Sequence, residues 1–239
     1  GYNAEPWACE VTAFGYCGAD ADGKNLIWVI DKNGVLTISG TGAMADYTFK
    51  GSVEQNKTYA PWIDYVDKFD KLVFEKGITS IGEFAFYKCE NITGDLVIPE
   101  SVKTIGKGTF KRSGIDEFYF AGDAPNVENA SSTMPSFDAE EDTLYYIANN
   151  TTWSESVENN LWNGYKALGS KLGDLDGDDK VMVYDAYTAR LIAARLLVPT
   201  EWQFILGDVD GDGRITALDC NYIRRFAIGT INEFPVENQ

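Results

Sequence analysis

The sequence predicts a multidomain chain. A short β-solenoid of stacked strand repeats with a capping hairpin fills residues 1–168, and a small all-α unit of two loop–helix repeats fills residues 169–239. Three observations carry this. Strand-type triplets recur at a fixed interval, from Leu72-Val73-Phe74 to Leu96-Val97-Ile98, 24 residues on. The composition changes after Leu168, where Gly169-Ser170-Lys171 reads as a linker. Two acidic blocks with one spacing pattern then follow at an offset of 34 residues, starting at Asp174 and Asp208.

A length of 239 residues suffices for two modest domains, each with its own core. The hydrophobic share of 44% and aromatic share of 13% exclude wholesale disorder. No window approaches the roughly eighteen uninterrupted apolar residues of a membrane-spanning helix. The chain opens at Gly1-Tyr2-Asn3 with neither a Met nor a signal peptide, the start expected of a processed mature form. A net charge of −17 argues against nucleic acid, whose phosphates it would repel, and leaves plain solubility or cation binding. Histidine is absent, which removes Ser–His and Cys–His catalysis and any His-ligated zinc from this chain. Cys9 and Cys17 stand close enough to bridge in a secreted context, and the spacing leaves that pairing open. Cys89 and Cys220 lie inside apolar patterns and read as buried small hydrophobes.

In the first part, Leu26-Ile27-Trp28-Val29-Ile30 and Val35-Leu36-Thr37-Ile38 flank Asp31-Lys32-Asn33-Gly34, a hairpin with Gly34 at the left-handed position. The repeat follows, with Ile81-Gly82-Glu83-Phe84-Ala85-Phe86 answered by Ile105-Gly106-Lys107-Gly108-Thr109-Phe110. A third strand, Phe118-Tyr119-Phe120, comes 22 residues after the second. An interval of about 22–24 residues is that of a leucine-rich-repeat solenoid. Such repeats bury their apolar faces only by stacking, so both ends need caps. The hairpin with Trp62 caps one end, and Leu144-Tyr145-Tyr146-Ile147 with Trp153 and Trp162 caps the other. Leu, Ile, Phe and Cys of the repeats read as core, leaving exposed residues such as Tyr119, Lys103 and Lys111 for any ligand. The stretches Gly34–Met44 and Ile78–Cys89 resemble the BspA-like leucine-rich repeats of bacterial surface and secreted proteins. That resemblance implies fold more than function, since such repeats serve adhesion, protein binding or display.

In the second part, carboxylates stand at loop positions 1, 3, 5 and 12 of both blocks. These are Asp174, Asp176, Asp178 and Asp185, then Asp208, Asp210, Asp212 and Asp219. Calcium takes about six to eight oxygens, and alternate residues of a tight turn can point inward together. The position-7 carbonyls of Lys180 and Arg214 supply another oxygen, and Thr216 at position 9 can hold a water. Four carboxylates so close repel one another unless a cation sits among them. The tandem loops thus predict two calcium ions.

A full EF-hand has an entering helix and Glu at position 12. Here position 12 is Asp and Lys171-Leu172-Gly173 is a poor entering helix, so the units are EF-hand-like loop–helix repeats. Duplicated in this form over 172–232, they resemble a dockerin, with Pro199–Phe204 as the connector and Thr200 as its helix cap. The resemblance implies calcium-dependent docking onto a cohesin module of a scaffoldin, in a secreted, extracellular or cell-surface cellulosome that degrades polysaccharides. Family partner choice falls on loop positions 10 and 11, here Val183 and Tyr184, then Ala217 and Leu218. It also uses the helix faces, here Arg190, Leu191 and Arg195, then Arg224 and Arg225. Many dockerins carry Ser/Thr at positions 10 and 11, so this pair departs from them and implies a more apolar contact.

The reading is therefore a non-catalytic protein that brings a repeat domain with an unknown protein or glycan ligand onto a cohesin. The rival is a dockerin-borne polysaccharide-degrading enzyme with an unrecognised site in 1–168. Glu140, Glu141 and Asp142 are its carboxylate candidates, though they read as a solvated acidic run. A calcium buffer or sensor is a third class, disfavoured by the absence of paired full EF-hands.

Overall fold

The computed structural model describes residues 11–48, 59–127, 134–138 and 142–238. Three antiparallel strands come first, β1 (Val11–Tyr16), β2 (Leu26–Asp31) and β3 (Val35–Gly40). Gly34 takes φ 78° at the β2–β3 turn, as the hairpin requires. The Asp31 carboxylate closes that turn by accepting from the amides of Asn33 at 2.8 Å and Val35 at 3.0 Å.

After β3 each coil gives a strand to each of two parallel ladders. Taking the strands in chain order, β4 (Gly42–Ala43), β6 (Ile78–Ile81), β8 (Thr104–Ile105) and β10 (Asn126–Val127) form the short ladder. On the other side, β5 (Lys71–Phe74) pairs with β3, while β7 (Leu96–Ile98), β9 (Glu117–Phe120), β11 (Thr143–Ile147) and β13 (Tyr165–Ser170) form a second parallel run beside it. The short helix α1 (Thr151–Ser154) and β12 (Leu161–Trp162), antiparallel to β13, complete this unit. This is a leucine-rich-repeat β-solenoid of about three turns.

The core is an aromatic stack. Trp62, Phe86, Phe110 and Phe137 are fully buried and lie face to face, with centroids 5.0, 5.6 and 5.6 Å apart along the series. Trp62 Nε1 donates to the Ala85 carbonyl at 3.0 Å, which anchors the first ring. At the far end Trp153 lies 4.9 Å from Trp162 and 5.0 Å from Phe120, closing the stack as the sequence implied. The glycine of each Ile-Gly pair is there for close approach. A Cβ on Gly106 would stand 2.5 Å from the Glu83 amide, and one on Gly82 would stand 1.9 Å from the Ala45 carbonyl.

Several expectations are corrected. Gly169 and Ser170 are the end of β13, opposite Tyr146 and Ile147 of β11, and so are not a linker. Their amides and carbonyls are claimed by the ladder, as where Ala148 N donates to Ser170 O at 2.8 Å. Asp142 is buried and accepts from the Asp138 amide at 2.7 Å, so it is no solvated run; Glu140 and Glu141 lie outside the described residues. Cys9 also lies outside them, and with it the Cys9–Cys17 pairing. Cys89 is buried, whereas Cys220 is half-exposed.

Residues 172–238 hold no strand among the described residues. Helices α2 (Val183–Ala193) and α4 (Ala217–Ala227) pack together, joined through α3 (Glu201–Gly207). No described helix is long and apolar enough to cross a membrane. The repeat offset of 34 carries into the core, where Leu175 and Val209, Val181 and Ile215, and Ala189 and Ile223 are buried pairs. Thr200 caps α3, its hydroxyl accepting from Gln203 N at 3.1 Å. Phe234 closes the unit, stacked 4.7 Å from Phe226, and Val236 N donates to Val209 O at 3.2 Å.

The stack makes Phe86 the most load-sensitive ring, since it is sandwiched between Trp62 and Phe110. Phe86→Ala should destabilise the repeat unit by about 3–5 kcal/mol in chemical denaturation. A loss under about 1 kcal/mol would show that the rings do not form one continuous core.

Candidate functional site

Two acidic loops precede α2 and α4, and the same backbone bonds shape both. Asp174 accepts from the amides of Gly177 and Asp179, each at 2.8 Å. Its counterpart Asp208 accepts from Gly211 at 3.0 Å, Asp212 at 3.1 Å and Gly213 at 2.8 Å. The last carboxylate staples each loop to its helix. Asp185 Oδ1 takes the Leu175 amide at 2.8 Å while Oδ2 takes Met182 N at 2.7 Å. Asp219 does the same with Val209 at 3.1 Å and Thr216 at 2.7 Å. Both helix starts thus gain an acidic group in the first turn, favourable beside the positive end of the helix dipole.

The loops gather oxygens. One carboxylate oxygen each of Asp174, Asp176 and Asp185 lies within 4.8 Å of the others, and Asp208, Asp210 and Asp212 form an equivalent group. Asp178 is outside the first group, and its carboxylate accepts from Lys180 N at 2.9 Å. Asp219 is outside the second but lies close enough to act electrostatically on Asp208 and Asp210. The Thr216 hydroxyl is engaged as the cap of α4, accepting from Leu218 N at 3.1 Å. Burial chiefly raises the pKa of Asp174 above the usual carboxylate value; Asp185 and Asp176 add to this, and the amide bonds oppose it. Asp208 and Asp210 are also raised, again by burial first. An all-oxygen set of crowded, partly desolvated carboxylates suits a hard divalent cation and not a zinc-type N/S site.

The two loops are not identical at position 6. Asp179 is held at φ 65° where Gly213 sits at φ 82°, both left-handed. The Asp179 side chain turns outward to an exposed pair with Lys171 at 3.1 Å.

The residues chosen for partner contact sit on the outer face of α2 and α4. Val183, Tyr184 and Leu218 are 55%, 62% and 49% exposed, which decides against their packing inside the unit. Ala217, Arg190, Arg195 and Arg224 are also exposed, while Leu191 and Arg225 are half-buried. A groove between the helices brings Arg190, Arg195, Arg214 and Arg224 to one surface with Val183 and Tyr187. The sequence reading missed Tyr187 and the Arg214 side chain. Tyr187 was findable: it stands one helical turn from Tyr184 and its ring lies 6.3 Å away.

On the repeat unit, Lys103 is exposed and pairs with Asp123 at 2.9 Å, and Lys111 is half-exposed. Tyr119 is not a free ligand residue. Its ring stacks 4.8 Å from Tyr145 and 5.2 Å from Trp202 of α3, which covers it.

Comparisons with known proteins bear on both parts. No curated protein matches the chain. One similar solved structure is the third cohesin ScaC in complex with the ScaB dockerin from Acetivibrio cellulolyticus. Its matching chain is 34% identical, over 28% of this chain and 96% of that one, with a TM-score of 0.27. A leucine-rich repeat protein from Eubacterium ventriosum is 21% identical over 70% of this chain, with a TM-score of 0.38. The chain spans 42% of the length of that protein. Residues 62–135 match the BspA type leucine rich repeat region model in six copies. That match spans the coils from Trp62 through β10, and it agrees with the leucine-rich-repeat solenoid seen there.

Proposed function

We propose that the C-terminal unit is a calcium-dependent dockerin that binds a scaffoldin cohesin, and that the chain is a secreted, non-catalytic protein bringing its repeat unit into a cellulosome. The observation that carries this is the duplication itself. Two oxygen-lined loops, superposed in sequence at an offset of 34, each feed a helix whose outer face is exposed and rich in Arg and apolar side chains.

Calcium in each loop supplies the positive charge that lets its carboxylates sit together. Asp174, Asp176 and Asp185 hold the first ion, with Asp178 and the Lys180 carbonyl adjoining. Asp208, Asp210 and Asp212 hold the second, with Asp219, Thr216 and the Arg214 carbonyl beside them. Because Asp185 and Asp219 also hold the loop amides, a filled loop fixes where its helix begins. That places Val183 and Tyr184, then Ala217 and Leu218, at the contact surface. The four arginines of the groove stand out in a chain of net charge −17, and they suit a partner that presents carboxylates.

The two faces differ, so one docking orientation should dominate. Tyr184 and Leu191 on one helix correspond to Leu218 and Arg225 on the other. Losing one anchor costs about 2 kcal/mol, roughly thirtyfold in affinity. A panel of purified cohesins should yield a binder in calcium and none in chelator. Tyr184→Ala with Leu191→Ala, or Leu218→Ala with Arg225→Ala, should then lower affinity from one face only. Binding that survives chelation would sink the docking reading, and near-full binding by each double variant would show two equal orientations.

The first calcium site should be the weaker. Asp179 takes the left-handed turn at a cost of about 1 kcal/mol, near fivefold in affinity. Met182 at position 9 also offers no side-chain oxygen, unlike Thr216. Calorimetry on Asp174→Ala, which leaves site two, and Asp208→Ala, which leaves site one, measures each alone. Equal or reversed affinities would refute the order.

A further inference from the structure

The repeat sheet and the calcium loops meet through α3. On one side of that helix Trp202, 9% exposed, lies against Tyr119, which stacks on Tyr145. The Glu117 carboxylate fixes both phenols, accepting from Tyr119 at 2.6 Å and Tyr145 at 3.3 Å. Ile147 also packs against the C-terminal core. The seat lies on the outward row of the sheet, where Val97, Tyr119, Tyr145 and Leu168 stand side by side on β7, β9, β11 and β13.

The rest of α3 is held by the loops. Gln203 Nε2 donates to the Leu175 carbonyl at 2.9 Å, and Gly173 N donates to the Leu206 carbonyl at 2.7 Å. Leu175 in turn gives its amide to Asp185. Gly207 fits against Ile215 and Leu175 so closely that a Cβ would stand 2.7 Å from Ile215 Cδ1. The residue after it, Asp208, is both the C-cap of α3 and the first carboxylate of the second loop. One seven-residue helix therefore touches both loops and the repeat sheet.

We infer that the repeat sheet is a working part of the calcium sites: Trp202, seated on Tyr119 and Tyr145, holds α3 where Leu175 and Asp208 close the two loops, so calcium binding and the seating of one unit on the other are thermodynamically coupled. The inference rests on the calcium reading above. Coupling of this kind is reciprocal, so the seat strengthens calcium binding by the factor by which calcium strengthens the seat. The docking face is then presented in a fixed pose relative to the repeat sheet.

Calcium titration of the full chain by calorimetry tests this. Tyr119→Ala removes the seat from the sheet side and alters no residue of either loop, and should weaken calcium binding by about fivefold or more. Trp202→Ala should do the same, and since it also thins the C-terminal core, Tyr119→Ala is the deciding variant. Phe14→Ala, on β1 of the N-terminal sheet and 73% exposed, should leave the affinity at the parent value. In the reverse direction, chelator should shift the Tyr119 ring resonances of the parent chain. Parent-like affinity in Tyr119→Ala, or an unmoved Tyr119 ring once both loops are emptied, would overturn the coupling. Failure of the parent itself to take up calcium would remove the calcium reading, and the coupling with it.

Discussion

The crowding of carboxylates at the head of α2 and α4 governs the C-terminal part of the molecule. Nine aspartates, at 174, 176, 178, 179 and 185 and at 208, 210, 212 and 219, share two short loops. Two like charges about 4 Å apart repel by roughly 4 kcal/mol at an effective dielectric near 20. Backbone amides answer part of this: Asp174, Asp185, Asp208 and Asp219 each accept at least two. Those same bonds shape the loops, start the helices and set the exposed face of Tyr184 and Leu218. Charge, loop, helix and surface are thus one construction, and it is this crowding that the proposed cations would relieve.

The repeat unit obeys a different constraint. Among the described residues no strand there is long enough to stand alone, and the shortest have two residues. What holds the coils in register is the column of Trp62, Phe86, Phe110 and Phe137, with Gly82 and Gly106 letting neighbouring backbones close on it. A solenoid so built ends in tryptophans at both caps and leaves a sheet face pointing outward. Part of that face is where α3 rests, which joins the aromatic core of the repeats to the acidic loops.

Much of this was legible in the sequence because it is periodic. The 24-residue recurrence placed the strands, the offset of 34 placed the loops and helices, and Gly34 marked its turn. Features that depend on where distant segments meet were not legible. Trp202 read as part of a connector and Tyr119 as an exposed repeat residue, and only the fold brings their rings to 5.2 Å. Phe234 lies beyond the second repeat and carries no periodic signal, yet it is buried against Phe226. Gly169 and Ser170 have linker composition, and it is pairing with β11 that makes them strand. Asp142 sits in an acidic run, and only the fold shows it buried, with its carboxylate taking the Asp138 amide.

The central claim is that the paired loops are two calcium sites of one docking unit. A native mass spectrum of the full chain, recorded after exchange into dilute calcium and again after chelation, reads this directly. The account predicts a mass increase of two calcium ions per chain, falling to none with chelator, and one ion in Asp174→Ala or Asp208→Ala. A parent chain that carries no calcium, or that carries it unchanged when both aspartates are replaced, would contradict it.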